Sequence, residues 1–324
     1  TSDQECWIAL KEDRVVGRIC AFVEKKDGGF ATIGNFGFFE CENDSDTASL
    51  LFNTAEDWLR TRKVERLRGP VNPTMNEEPG FQVEGFTTRP VLRTVHTPPY
   101  YLDLAAACGY QKYNDLVARR YILDHKEQTF TSACPEKILQ IAARVEQRPD
   151  VRIRRLDKKN WDNEITLACD IYNQSLSHLK DFVPVPQEDF HRISSGLRQI
   201  INPGLALVAE VKGKPVGFAL AFPDMNQALR FANGKVTPLR MIRIFFETLR
   251  LERVSFKILM ILPEFHGRGI ETLLIREVGK EIWRKRYKEV DMSLAGEENF
   301  NSNQFQSNLG FQTYLRYRIF EKVL

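Results

Sequence analysis

The chain repeats itself, and the repeat restricts it to a doubled fold. Val16-Gly17, within Arg14–Val23, returns as Val216-Gly217, within Pro215–Phe222. Cys108-Gly109-Tyr110-Gln111-Lys112-Tyr113 returns as Leu309-Gly310-Phe311-Gln312-Thr313-Tyr314 at almost the same offset. In both, the glycine suits the left-handed residue that ends a helix before a strand begins. A length of 324 residues also suits two domains. We therefore divide the chain into a first copy, 1–123, a helical linker, 124–150, and a second copy, 151–324, with an insertion at 227–253. Cys6–Leu10 corresponds to Leu205–Val211, and the stretch from Val151 to Gly204 has no counterpart in the first copy. The expectation is that native sequence precedes Thr1.

The second copy carries the most telling local pattern. The apolar run from Phe256 to Leu262 reads as a buried strand and breaks at Pro263. Gly267 and Gly269 follow, and then Leu273, Leu274, Val278 and Ile282 recur with helical spacing. A strand, a glycine-bearing loop and a helix start form an anion site, because the first helical amides have no partner in the helix. The spacing matches neither the Walker loop nor the dinucleotide fingerprint.

His266-Gly267-Arg268-Gly269-Ile270-Glu271 resembles the acyl-CoA pyrophosphate loop of the GCN5-related N-acetyltransferase (GNAT) superfamily, Arg/Gln-x-x-Gly-x-Gly/Ala. The central glycine matches. His266 and Glu271 depart from the pattern, and Glu271 sets a carboxylate near the phosphate position. Downstream, Glu289–Leu294 alternates as a strand. Asn299 then stands where the family has an Asn opening a helix that closes in Leu309-Gly310-Phe311. The resemblance covers 151–324 and implies an α/β (α+β) fold of two GNAT-like domains. Each would be a mixed, mostly antiparallel twisted sheet flanked by helices.

The resemblance also implies the chemistry. An amine would attack an acyl-CoA thioester, acetyl-CoA or another, with no metal. The donor would lie on Ile261, Leu262, His266, Gly267, Arg268, Gly269, Ile270 and Asn299, and the oxyanion would meet an amide near Ile261 or Leu262. Gly269 is the position where an added carboxylate should bar the phosphates. The family's proton-donating Tyr is replaced by Gln306, and an amide is no general acid. Tyr314 and Tyr317 are substitutes, and Glu298 and Asp224 are the candidate bases. His178 and His191 lie in the helical region without a recognisable partner.

The first copy reads as a degenerate sibling. After Thr32–Cys41 comes Glu42-Asn43-Asp44-Ser45-Asp46-Thr47, acidic and without glycine, which would repel a pyrophosphate. It reads as a helix-capping loop. Gly69–Pro99, rich in Pro, is a shaped loop. Its Asn72, Asn76, Glu77 and Glu78 either meet a substrate amine or satisfy the loop's own backbone. In the second copy's insertion, Leu239, Ile242, Phe245, Phe246 and Leu249 share one helical face, and Arg240, Arg243, Glu247 and Arg250 the other. The expected role is a lid packed by its apolar side, or a basic docking face for an acyl carrier protein or the CoA phosphates, or an apolar wall for a long acyl chain.

Composition sets broader limits. The hydrophobic share is 43%, the charged share 27% and the net charge +3, which call for neither nucleic acid nor a membrane partner. No apolar run nears the ~20 residues of a membrane helix. The six cysteines show no ligand spacing, which suggests reduced thiols, no structural metal and a cytoplasmic protein. Expected partners are a small amine or amino-acid-like substrate; oligomeric state stays open. Two alternatives remain: a non-catalytic binder on this fold, and a transferase using a carrier-protein- or tRNA-linked donor.

Overall fold

The computed structural model describes residues 2–26, 29–72, 77–127, 129–178, 182, 184–235 and 237–324. In chain order the elements are β1 (Ser2–Lys11), β2 (Arg14–Lys26), β3 (Gly29–Cys41), α1 (Ser45–Arg60), β4 (Arg66–Gly69), β5 (Phe81–Glu84), α2 (Tyr100–Ala107) and β6 (Gln111–Ile122). There follow α3 (Phe130–Ala133), α4 (Glu136–Glu146), β7 (Val151–Arg155), α5 (Trp161–Leu176), α6 (Gln187–Ser195), α7 (Leu197–Ile200), β8 (Ala206–Val211), β9 (Lys214–Pro223), α8 (Asn226–Leu229) and α9 (Pro238–Thr248). The last are β10 (Arg253–Ile261), α10 (Ile270–Arg284), β11 (Glu289–Gly296), α11 (Phe300–Asn308) and β12 (Gln312–Val323).

The chain forms two compact units. One is 1–119 together with 294–324, and the other is 120–293. These limits differ from a division at 123 and 151, because β12 packs with the first unit. There it pairs antiparallel with β4, Phe320 opposite Gly69, and with β5, Arg318 opposite Phe81. Hydrophobic periodicity identifies a strand but not its neighbour, so sequence left β12 in the copy that precedes it.

Both units carry the same strand logic. In the first, β1, β2 and β3 are antiparallel, and α1 crosses over to β4, which is parallel to β3. In the second, β8, β9 and β10 are antiparallel, and α10 crosses over to β11, parallel to β10. Even the irregularities recur. Ala9 pairs with Gly17 and Ala209 with Gly217, and each register slips one step beyond. A side chain on Gly217 would come 2.6 Å from the Met260 carbonyl, and one on Gly17 3.0 Å from that of Glu40. Close strand approach explains why both copies need glycine there.

The cores follow from helical and strand periodicity. In α1, Ala48, Leu51, Phe52, Ala55 and Leu59 form one buried stripe. It packs on Ile19, Phe36, Phe39 and Phe81, where the Phe39 and Phe52 rings stack at 4.8 Å. The acidic loop caps this helix, as its composition indicated. Asp44 accepts from the Asp46 amide at 3.2 Å and the Thr47 hydroxyl at 2.7 Å. The expectation of reduced cysteines fails at one pair. Cys6 and Cys20 are cross-strand partners on β1 and β2 and are bonded to each other. Fourteen residues of separation conceal a contact that only strand register creates.

Candidate functional site

The strand–loop–helix expected from sequence is present in the second unit. β10 ends at Ile261, Pro263–Phe265 make one tight turn, and α10 starts at Ile270. Gly267 and Gly269 have φ of +70° and +78°, the left-handed region that side chains disfavour. Gly269 is the N-cap and offers no side chain to close the helix start. Among the described residues, no protein acceptor takes the backbone amides of Gly267, Arg268, Gly269, Ile270, Glu271 or Thr272. Six unfilled donors at the positive end of a helix dipole constitute an anion cradle. α1 has no such cradle, because Asp44 fills its first amides.

The loop side chains divide the work. Ile270 is fully buried and pins the helix start. The His266 Nε2 lies 2.8 Å from the Ile261 carbonyl. A carbonyl only accepts, so that nitrogen carries the proton, and the imidazole laces the loop to the strand. Arg268 is exposed, with its guanidinium 5.0 Å from the Phe265 ring. Gly269 proves a poor place to test phosphate exclusion. A Cβ there would sit 2.9 Å from Ile141 and Val145 of α4, so substitution would disturb packing first. At Gly267 nothing lies within 4 Å. Leu262 is also excluded as an oxyanion donor, because its amide donates to the Val216 carbonyl at 2.8 Å.

Glu271 is the unresolved charge of the loop. One of its carboxylate oxygens is buried and has no hydrogen-bond partner among the described residues. An unpaired buried acceptor is costly, and this one belongs to the second residue of α10, within the cradle. Glu271→Gln should therefore raise stability by roughly 1–2 kcal/mol and tighten binding of an anion several-fold. Thermal unfolding and titration with CoA check both; a lower melting temperature would show that the carboxylate is needed.

The other expected site residues do not gather there. Asp224 is fully buried, 3.3 Å from Arg253 Nε, and accepts from the Asn226 amide. Those are the surroundings of a structural ion pair. Glu298, Asn299, Tyr314 and Tyr317 belong to the other compact unit. Asn299 caps α11, accepting from the Ser302 amide at 3.2 Å, and Glu298 is exposed. Tyr317 is fully buried and donates to the Val95 carbonyl at 3.0 Å, so its proton is committed. Tyr314 is half-buried against the Leu116–Leu315 cluster. Gln306 is buried, its amide nitrogen on the Ser302 hydroxyl and its oxygen without a partner among the described residues. His191 contacts the Thr166 hydroxyl at 3.0 Å, and His178 is exposed. Asn72 accepts from the Phe38 amide and so serves backbone; Glu77 pairs with Arg93; Asn76 lies outside the described residues.

Sequence reasoning passed over the charged residue at the register slip of β10. β10 and β11 pair from Arg253–Glu289 to Phe256–Met292. At the next residue, Lys257, the register of β10 against β9 slips. Lys257 is nearly enclosed, 4.0 Å from Asp291, which is itself fully buried and takes the Ser255 hydroxyl. Beyond the slip, Ile258, Met260 and Leu262 turn to the side covered by Leu167 and Tyr172 of α5. Phe182 and Phe190 lie 6.2 and 5.8 Å from the Tyr172 ring. Burial pushes the Tyr172 phenol up to about 12, so it stays neutral. A lysine inside an otherwise apolar strand was the available signal, since a buried ammonium needs a reason.

The strand order that the two units repeat is the fold of solved GCN5-related N-acetyltransferases, a tandem one included. A tandem GNAT protein from the clavulanic acid biosynthesis pathway, solved without AcCoA, superposes with a TM-score of 0.56 over 99% of this chain and 83% of its own, at 13% identity. Among curated proteins, Protein YghO of Escherichia coli K12 is 26% identical over 98% of this chain and 82% of its own length. The bacterial ceramide synthase of Caulobacter vibrioides is 27% identical over the whole of this chain and 84% of its own length. No protein-family model matches the chain.

Proposed function

We propose that the chain is an acyl-CoA-dependent N-acyltransferase whose acceptor is an amine with a long apolar tail. The observation that carries this reading is the run of unfilled amides from Gly267 to Thr272, on the loop that leads from β10 into α10. Those amides suit the pyrophosphate of a CoA ester. The apolar wall of Tyr172, Phe190, Ile258, Met260 and Leu262 suits an alkyl chain. Similarity to a protein named for ceramide synthesis supports a lipid amine over a small polar one.

In this reading the amine nitrogen bonds to the thioester carbonyl carbon, the carbon–sulfur bond breaks, and the amine's proton leaves as the thiolate is protonated. The ammonium of Lys257 faces the developing oxyanion, in the role first assigned to an amide near Ile261 or Leu262. Asp291 holds Lys257, and Ser255 holds Asp291. A preorganised charge of this kind is worth about 100-fold or more in rate.

Donor binding is tested by thermal shift. Acyl-CoA at 100 times its Kd should stabilise the native chain by about 2.7 kcal/mol. Gly267→Asp, which a left-handed position tolerates and which sets a carboxylate among the amides, should remove the shift while leaving the apo melting temperature nearly unchanged. An undiminished shift in that variant would refute the cradle. Product is checked by mass spectrometry with palmitoyl-CoA and a long-chain amine. A second reading, ligand binding without turnover, is favoured by the committed Tyr317 proton and by Gln306 in place of a tyrosine. A donor shift with no transfer to any amine would select it.

A further inference from the structure

α9 is mounted inside out. Arg240 donates to the carbonyls of Ala232 and Lys235 at 2.7 and 3.3 Å, and Arg243 lies over the Phe231 ring at 4.1 Å. The half-buried residues of the helix are Arg240, Ile244, Glu247 and Thr248, which form one arc. The opposite arc is apolar and faces outward: Leu239 is 78% exposed, Phe245 61% and Leu249 71%, with Met241, Ile242 and Phe246 between 56% and 57%. No residue of the helix is buried. The lid expected from sequence would pack by its apolar side, and the structure shows the reverse. Contiguous exposure of six large apolar side chains is not a normal surface.

We propose that this face docks the protein on a bilayer surface bearing anionic headgroups. The argument is one of charge and shape. From Met225 to Arg250 the chain carries Arg230, Lys235, Arg240, Arg243 and Arg250 and a single acid, Glu247, on the inward arc. Arg243 and Arg250 are exposed and border the apolar arc on one side. Phenylalanines and leucines set beside arginines are how a helix lies in an interface: apolar side chains below the headgroups, guanidiniums among the phosphates. A second copy packed antiparallel on the same face would bring Arg243 and Arg250 of both chains to one seam with no exposed carboxylate on the helix to neutralise them. An acidic carrier protein would answer the charges but leaves six apolar side chains needing a matching groove.

Flotation of the full chain with vesicles tests this. Vesicles of phosphatidylcholine with one quarter phosphatidylglycerol should carry the protein up, and pure phosphatidylcholine should carry far less. Ile242→Ser with Phe246→Ser should cut the bound fraction at least tenfold. Arg243→Glu with Arg250→Glu should abolish the preference for phosphatidylglycerol, and added salt should weaken wild-type binding. Ile242→Ser with Phe246→Ser alters exposed side chains only, and Arg243→Glu gives up one exposed contact with the Phe231 ring, so the melting temperature should move little and the CoA-induced shift should hold. In Phe246→Trp, a residue that needs no repacking, the emission should move to shorter wavelength with phosphatidylglycerol vesicles and stay put with phosphatidylcholine alone. Equal flotation of wild type and Ile242→Ser/Phe246→Ser overturns the proposal. So does a dimer lost in that variant without vesicle binding, or binding to acidic acyl carrier protein in place of vesicles.

Discussion

Replacing Lys257 with Met should lower the rate of acyl transfer by about 100-fold or more while leaving the CoA-induced thermal shift in place. The amide cradle is built from Gly267 to Thr272 and does not involve this side chain. The single change also strands Asp291, which is fully buried, and breaking a buried pair costs roughly 3–5 kcal/mol. The structural and chemical roles therefore need separating. Lys257→Met with Asp291→Asn removes both charges and should recover most of the lost stability, because two neutral groups of similar shape are tolerated where one bare charge is not. Activity should stay lost in the double variant. If stability and rate return together, Lys257 is a packing residue and the oxyanion is met elsewhere.

Residues 1–119 expressed without 294–324 should fail to fold cooperatively. β12 supplies Leu315, Tyr317, Ile319 and Phe320, all buried in the first unit. At about 1.5–3 kcal/mol for each buried side chain, their loss amounts to roughly the whole stability of an ordinary domain, about 5–15 kcal/mol. Truncation also strips charges. Lys322 lies 2.8 Å from Glu56, which is 1% exposed, and Arg318 clamps Asp115 through two contacts of 2.8 and 3.0 Å. Circular dichroism and urea unfolding read the result. A soluble fragment with a cooperative transition would mean that β12 is an accessory to this unit. Supplying 294–324 through a flexible linker should restore the transition.

Local order was legible in the sequence because local order is coded locally. Gly109 and Gly310 both take φ near +84° after a helix, as the repeated Gly-aromatic pairs indicated. Gly267 and Gly269 sit in the left-handed region between β10 and α10, and Asp44 caps α1 where the acidic loop stood. Each of these rests on one residue and its immediate neighbours. The candidate site was half legible for the same reason. Its anion cradle is a single contiguous stretch, whereas Lys257 and Asp291 are separated by the whole of α10 and meet only through parallel strand pairing.

The sequence alone thus determined that the fold is doubled, where its crossover helices run, and which of the two crossover loops carries left-handed glycines in place of a capping carboxylate. Tertiary structure decided what periodicity cannot carry. β12 pairs with β4 across the length of the chain, Arg68 meeting Glu321 at a separation of 253 residues. Cys6 finds Cys20 across a hairpin, Tyr317 spends its proton on Val95, and α9 presents its apolar arc outward. A side-chain pattern states which residues share a face; what that face meets depends on chain segments distant in sequence, brought together when the whole core closes.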